Sequence, residues 1–249
     1  MAVTIKSPRE IELMREAGRI LAKTHEELAK NLRPGMSTWD IDHMGEEIIR
    51  SYGCIPSFKN YNGYPASICV SVNDEVVHGI PHKEHFLDEG DIVSLDAGVI
   101  YKGYHSDAAR TYGIGEIDDD AKKLIEVTRQ SFFEGIKFAK AGNHLNDISA
   151  AIQKCAESFG FGVVRDLVGH GIGSHLHEDP EIPNFARKRK GILLQPGMTL
   201  AIEPMITEGS YEVVWLDDDW TVMTEDGGWA AHYENTILIT EGEPEILSL

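Results

Sequence analysis

The sequence predicts one α/β domain assembled from two similar halves, and three observations predict it. Pairs of amphipathic helical stretches, each followed by strand-like segments, occur once in each half of the chain. Sliding the chain along itself by 107 positions superimposes Gly35 on Gly142, Asp40 on Asp147, Ile41 on Ile148, Gly53 on Gly160 and Gly90 on Gly197. With glycine at about a tenth of positions or fewer, three coincident glycines at one offset arise by chance about once in a thousand. Finally, 249 residues with 42% apolar side chains suffice for a substantial core. The expected organisation is a single catalytic-sized domain over 1–249, with one half at about 7–113 and the other at about 117–241.

Ser7-Pro8-Arg9-Glu10 carries the capping-box pattern with proline at the first helical position, and Ile11, Met14, Ala17, Ile20 and Leu21 follow at helical spacing. That helix is expected to run to about Leu32, where Pro34-Gly35 ends it. Ser37-Thr38-Trp39-Asp40 opens a second helix through Ile41, Met44 and Ile48, closing at Gly53. Residues 67–77 read as strand, and residues 91–112 as a β-hairpin turning near Lys102-Gly103. In the second half, acids at 118–120 precede a helix over about 121–139, and a further helix over about 146–159 stops at Gly160. Strands and turns fill the remainder.

Composition removes several function classes. The acids outnumber Lys plus Arg by 41 to 23, for a formal charge of −18, so most of the surface repels a phosphate backbone and no specific nucleic-acid partner is expected. Three cysteines, Cys54, Cys69 and Cys155, lack CxxC spacing, which argues against a disulfide framework or a thiolate zinc site. The first residues are charged and lack an apolar signal core. No apolar run approaches the ~20 residues of a membrane span. A reducing cytoplasm, with no membrane contact, is the expected setting.

The chemistry lies in acids that sit where strands should be apolar. Asp96 interrupts Ile92-Val93-Ser94-Leu95-Asp96-Ala97-Gly98-Val99, and a hairpin with a two-residue loop at Tyr101-Lys102 sets Asp107 opposite it. Like charges facing each other repel unless protonated or bridged by a cation. Glu203 and Glu234 stand in similar apolar settings in the second half, and Asp96 aligns with Glu203 under the repeat. A salt bridge or backbone hydrogen bonds is the default account of any single buried acid. Four such acids point instead to metal, and four anions balance two divalent ions. A nitrogen donor is expected from His170 in Gly169-His170-Gly171-Ile172-Gly173, where small neighbours let the backbone bend close. That glycine run could also cradle a phosphate, but it lacks GxGxxG spacing, and Pro180 and Pro183 oppose a following helix. Neither an HExxH helix nor a GxSxG elbow is present, which sets those hydrolase classes aside.

Together with His78 in Val76-Val77-His78-Gly79-Ile80-Pro81 and His177 in Ser174-His175-Leu176-His177-Glu178, these residues resemble the type I methionine aminopeptidases of the pita-bread metallopeptidase superfamily. The likeness runs from the Ser7 helix to about Thr240, with Tyr61-Asn62-Gly63-Tyr64-Pro65 and Ile202-Glu203-Pro204 among the matching segments. It implies a pseudo-twofold fold with antiparallel sheet covered by helices. In that reading Asp96 chelates one metal, Asp107 and Glu234 bridge both, and His170 with Glu203 completes the other. The ions are two divalent cations, with manganese, iron(II), cobalt or zinc all compatible with an oxygen-rich site bearing one imidazole.

The resemblance also implies a mechanism. Hydroxide held between the ions attacks the scissile carbonyl, and the substrate's α-amine binds the metal chelated by Asp96. Glu203 shuttles a proton, His177 hydrogen-bonds the carbonyl oxygen, and His78 contacts the next residue's backbone. The methionine pocket would be walled by Phe58, Tyr61, Tyr64, Cys69, Leu176 and Trp220, with Phe58 and Leu176 departing from the cysteine and phenylalanine of the best-known bacterial members. The implied substrates are nascent polypeptide N-termini whose second residue is small, and Met1-Ala2 makes this chain a candidate substrate of its own activity. Arg187-Lys188-Arg189-Lys190, the one dense basic cluster, is either a solvated loop or a transient ribosome contact. A competing enzyme reading is an Xaa-Pro-cleaving relative, although those relatives usually carry a separate N-terminal domain. A non-enzymatic reading is a scaffold of the same fold that only binds partners.

Overall fold

The structure is a computed structural model and describes residues 3–249; the Met1-Ala2 dipeptide lies outside the described residues. Helix α1 spans Pro8–Asn31, and α2 spans Thr38–Ser51. Both open as their sequences dictate. The Ser7 N–H donates to Glu10 Oε2 at 2.7 Å, and the Asp40 N–H donates to Ser37 Oγ at 3.1 Å, satisfying amides that the helix itself leaves without partners. Helix α3 covers Asp119–Ile136 and α4 covers Leu145–Ser158. The acids at 118–120 are cap and first turn: Ala121 N–H donates to Asp118 Oδ1 at 2.7 Å, so the helix starts two residues before the expected boundary.

The glycines matched by the repeat do the same job in each half. Gly35 and Gly142 (φ 81° and 89°), Gly53 and Gly160 (72° and 88°), and Gly90 and Gly197 (98° and 89°) all take left-handed turns. Isolated bridges Ser37↔Phe86 and His144↔Leu193 are related by the same offset.

In the first half, the strand Ile92–Tyr101 pairs antiparallel with Ile55–Pro56, Ile68–Val72 and Tyr104–Gly113. In the second, Thr199–Ile202 lies between Asn235–Leu238 and Gly169–Gly171, again antiparallel. Each helix pair covers its own sheet: Ile20, Leu21, Leu28, Ile41 and Ile49 pack on Val70, Leu95 and Val99, and Phe132, Ile148 and Ile152 pack on Leu200, Ile202 and Ile237.

Two expectations are corrected. The hairpin turns at Lys102-Gly103, as its turn residues suggest, and not through a loop at Tyr101-Lys102; the φ values of 49° and 86° are those of a tight two-residue turn with both central residues left-handed. Its register therefore pairs Asp96 with Ala109 and Gly98 with Asp107, so the two aspartates share a face diagonally rather than facing directly. The segment 67–77 is not one strand. It breaks at Asn73 (φ 53°) into Ile68–Val72 and Glu75–Val77, because Asn73 turns to donate to Asp91 Oδ1 at 2.9 Å and to accept the Ile92 N–H at 3.0 Å.

The halves are joined along strand Tyr104–Gly113. Thr236 Oγ1 accepts the Asp107 N–H at 2.8 Å and donates to the Asp107 carbonyl at 2.9 Å. Thr111 Oγ1 treats His232 in the same way, at 2.9 and 3.0 Å, and the Glu234 N–H donates to the Ala109 carbonyl at 2.9 Å. Thr236→Val keeps the shape but leaves both polar groups of the Asp107 backbone without this partner. Loss of about 2–4 kcal/mol of stability is expected, measured by denaturant unfolding of metal-free protein. Unchanged stability would show that the seam is held elsewhere.

Candidate metal centre

Asp107, His170 and Glu234 are all buried and bring one donor atom each to within 4.8 Å of one another. Two come from strands and one from a link: Asp107 from Tyr104–Gly113, His170 from Gly169–Gly171, and Glu234 from the link just before Asn235–Leu238. Glu203 Oε1 stands 3.7 Å from His170 Nε2, and Asp107 Oδ2 stands 3.9 Å from it. The register Ile202↔Asn235 puts Glu203 and Glu234 at the next step of the same ladder. Asp96 joins from the diagonal position across the first hairpin.

The local backbone explains why these side chains converge. A Cβ on Gly169 would lie 2.4 Å from the Ala201 carbonyl, and one on Gly171 would lie 2.2 Å from that of Asp179. Only glycines let neighbouring strands close on either side of His170. The His170 Nδ1 bonds the Gly171 carbonyl at 2.8 Å; donation there leaves the Nε2 lone pair facing the carboxylates.

The electrostatics are those of a site prepared for cations. Burial, followed by mutual repulsion, pushes the carboxyls of Asp107, Glu203 and Glu234 far above their ordinary range, and burial raises Asp96 to about 7. Burial drives His170 down to about 3, so its imidazole is neutral and able to ligate. Asp96 Oδ1, Asp107 Oδ1 and Glu234 Oε1 are buried and have no hydrogen-bond partner in the protein. Orphaned carboxylate oxygens around one neutral imidazole are the donor set that divalent cations take, so the residues fit the metal their chemistry implies.

The acids floor a cavity of about 300 Å³, and every sequence-predicted site residue lines it. Phe58, Tyr64, Cys69 and Leu176 form a buried apolar wall, and Trp220 closes it, edge-on to Tyr64 with ring centroids 5.1 Å apart. Tyr64 OH donates to the Gly79 carbonyl at 2.9 Å, which leaves its ring to the cavity. His78 and His177 stand at the polar side. His78 is held at φ 60°, a left-handed conformation that costs a non-glycine residue free energy and re-aims its side chain. Burial lowers it to about 4 and lowers His177 as well, so both are neutral near pH 7.

Sequence reasoning missed other lining and contacting groups. Val77, Leu167 and Met205 extend the apolar lining. His232, fully buried, sets Nε2 3.8 Å from Glu203 Oε2, and both its nitrogens lack hydrogen-bond partners. Arg110 donates to the Glu234 carbonyl and, at 2.6 Å, to Asn235 Oδ1. Position before an acid in Ala231-His232-Tyr233-Glu234 was the only signal for His232; the folded-back Arg110 left none.

The family model for metallopeptidase family M24 matches residues 12–241. The methionine aminopeptidase of Clostridium acetobutylicum is 56% identical over 99% of this chain and 99% of its own. The crystal structure of methionine aminopeptidase from Thermotoga maritima superimposes with a TM-score of 0.97 at 49% identity, covering 99% of each chain. An Xaa-Pro dipeptidase from Bacillus anthracis gives 0.80 at 27% identity, covering 98% of this chain but 61% of that one.

The raised carboxyls set a pH dependence. An acid whose folded pKa is raised loses no stability in acid and lowers stability as pH climbs, here from about 4 through 7 for Asp96. Divalent cations favour the ionised form, so binding displaces protons. The metal-induced rise in melting temperature should be larger at about pH 8 than at about pH 6, with proton release seen as buffer-dependent heat in titration calorimetry. An effect independent of pH would count against these carboxyls as the ligands.

Proposed function

The chain belongs to metallopeptidase family M24 and, through relatives that match its full length, to the methionine aminopeptidases within it; we propose that it removes the initiator methionine from nascent polypeptides whose second residue is small. Its fold is the pita-bread fold, and it is a metal-dependent exopeptidase. The observation that carries the substrate reading is the placement of a small apolar, aromatic-rimmed cavity directly over the acid cluster. A methionine side chain is unbranched and polarizable and suits such a wall.

Two divalent ions are proposed, because one would leave four carboxylates in net negative excess. Asp96 would hold one, His170 and Glu203 the other, with Asp107 and Glu234 shared. Bound there, the ions supply an activated water and polarisation of the scissile carbonyl. The protein's own groups do the rest. Glu203, at the floor of the cavity, passes a proton to the departing amine nitrogen. His177 Nε2 donates to the carbonyl oxygen as negative charge develops there, and His78 holds the backbone of the following residue. Phe58 is seated because Gly98 opposes it: a Cβ on Gly98 would lie 2.9 Å from the Phe58 ring.

A cytoplasmic setting is proposed, which the three buried, unpaired cysteines support; among the described residues no helix is long and apolar enough to cross a membrane. The exposed Arg187-Lys188-Arg189-Lys190 run is proposed as a transient ribosome contact.

Assay of Met-Ala-Ser, Leu-Ala-Ser and Ala-Pro peptides should show preferred cleavage of the first; equal rates for Met and Leu, or cleavage of Ala-Pro alone, would reject the methionine assignment. His177→Ala should lower kcat by about 10²–10³-fold while metal content is unchanged. Turnover equal to wild type would remove His177 from the transition state.

A further inference from the structure

His177 ends the loop between Gly169–Gly171 and the antiparallel strand Glu178–Ile182, and that loop is also held from the far end of the chain. Glu178, the next residue, is buried at 9% exposure. Its Oε2 receives Lys6 Nζ at 2.6 Å and Thr4 Oγ1 at 2.6 Å, and its Oε1 receives the His175 N–H at 3.2 Å. Lys6 is itself 7% exposed, and its Nζ also reaches Thr4 Oγ1. The pair is packed as well as bonded: a Cβ on Gly173 would lie 2.4 Å from Lys6 Cε and 2.6 Å from Glu178 Oε1. Gly173 in turn closes the loop, its N–H donating to the His175 carbonyl at 3.0 Å and its carbonyl accepting the His105 N–H at 2.8 Å.

The arm that brings Lys6 is anchored to the catalytic sheet. The Lys6 N–H donates to the Gly197 carbonyl at 2.8 Å, in the turn that enters the strand leading to Glu203. On its other side, the His177 ring is bonded at Nδ1 by Tyr61 OH at 2.8 Å. A tyrosine O–H donated to Nδ1 puts the imidazole proton on Nε2.

A buried ion pair is weak as a source of stability, since desolvation offsets most of its attraction, and its charges hold one geometry against alternatives. We propose that Lys6 and Glu178 are positioning residues for His177: the ion pair ties the strand end at Glu178, and with it the loop 172–177, to the arm anchored at Gly197, and so fixes the distance from His177 Nε2 to the substrate carbonyl. The inference rests on the reading of His177 as the group that donates to that carbonyl. It assigns the arm around Lys6, far from the reacting atoms in sequence, a share in turnover.

A double-mutant cycle tests it. Lys6→Met and Glu178→Gln should each lower kcat for Met-Ala-Ser, by up to about 100-fold, because displacement of a catalytic group by about 1 Å has that effect. KM should scarcely change. In a His177→Ala background the same substitutions should have no further effect on kcat. Thr4→Val, which removes the Thr4 hydroxyl's bonds to Glu178 and Lys6 but keeps the ion pair, should give the same pattern at smaller amplitude if the other variants fold poorly. Amide hydrogen exchange of metal-free protein adds a readout that needs no substrate: residues 173–177 should exchange faster in Lys6→Met. Equal losses of kcat in both backgrounds, or unchanged exchange in the loop, would overturn the proposal. Wild-type protein that leaves Met-Ala-Ser intact overturns the functional reading itself, and the exchange data show separately whether the pair holds the loop.

Discussion

The fold is organised around a repulsion. Carboxylates from both halves are brought together in a buried place, where two unit charges about 4 Å apart repel by about 4 kcal/mol even at an effective dielectric near 20. A protein can hold such a cluster only if its surroundings are stiffer than the repulsion and if protons or cations answer the charge. The stiffness has an identifiable source. Asp107 and Glu234 lie on neighbouring segments of the seam, and the Asp107 backbone is gripped by Thr236 while that of Glu234 is held by Ala109 and Arg110. Behind the seam stand two separate apolar cores, each with its own helix pair, so neither half can relax without losing its packing.

Glycine explains how the acids reach the seam. Left-handed glycines recur at matching places in the halves: in the turn between the paired helices, at the end of the second helix, and at the entry to a strand. They fix where the chain reverses and hence which residue of each strand comes to the centre. In the second half, Gly169 and Gly171 admit neighbouring strands so closely that the imidazole between them faces the acids with little room to turn. The proposed metal donors are therefore selected by backbone approach as much as by side-chain type.

Much of this was legible in the sequence because it is local. Ser7-Glu10 and Ser37-Asp40 mark helix starts through contacts three residues apart, and aspartate or glutamate inside an apolar strand is visible without knowing what lies opposite. Register was less legible. A hairpin turn at 101–102 and one at 102–103 differ by a single residue, and only the left-handed preference of Gly103 and the fit of the strands decide between them. The break at Asn73 was hidden for a related reason: its cause is an asparagine bonded to Asp91 and Ile92, a tertiary contact. His232, Arg110 and the Lys6–Glu178 pair share that property. Each is joined to the centre by partners more than a hundred residues away or by a neighbouring sheet, and nothing periodic announces them.

The two kinds of proposed catalytic component are accordingly built in two ways. The acids and His170 are carried on or immediately beside strands, where ladder bonds and a packed core fix them to within the small tolerance that coordination demands. His78 and His177 also adjoin strands, Glu75–Val77 and Glu178–Ile182, but each is the end residue of a connection, where in the proposed mechanism a side chain can reach over a substrate that has to enter and leave. A connection has few bonds of its own, so each histidine has a separate restraint. For His78 it is a left-handed backbone locked by Gly79, whose N–H donates to Ser71 Oγ at 3.0 Å and whose carbonyl accepts the Val70 N–H at 3.0 Å. For His177 it is Tyr61 at the ring and the buried ion pair at the adjoining residue. Rigidity lost from a strand in this fold has to be restored by an anchor drawn from elsewhere in the chain, and the arm before α1 is long enough and close enough to the catalytic sheet to provide one.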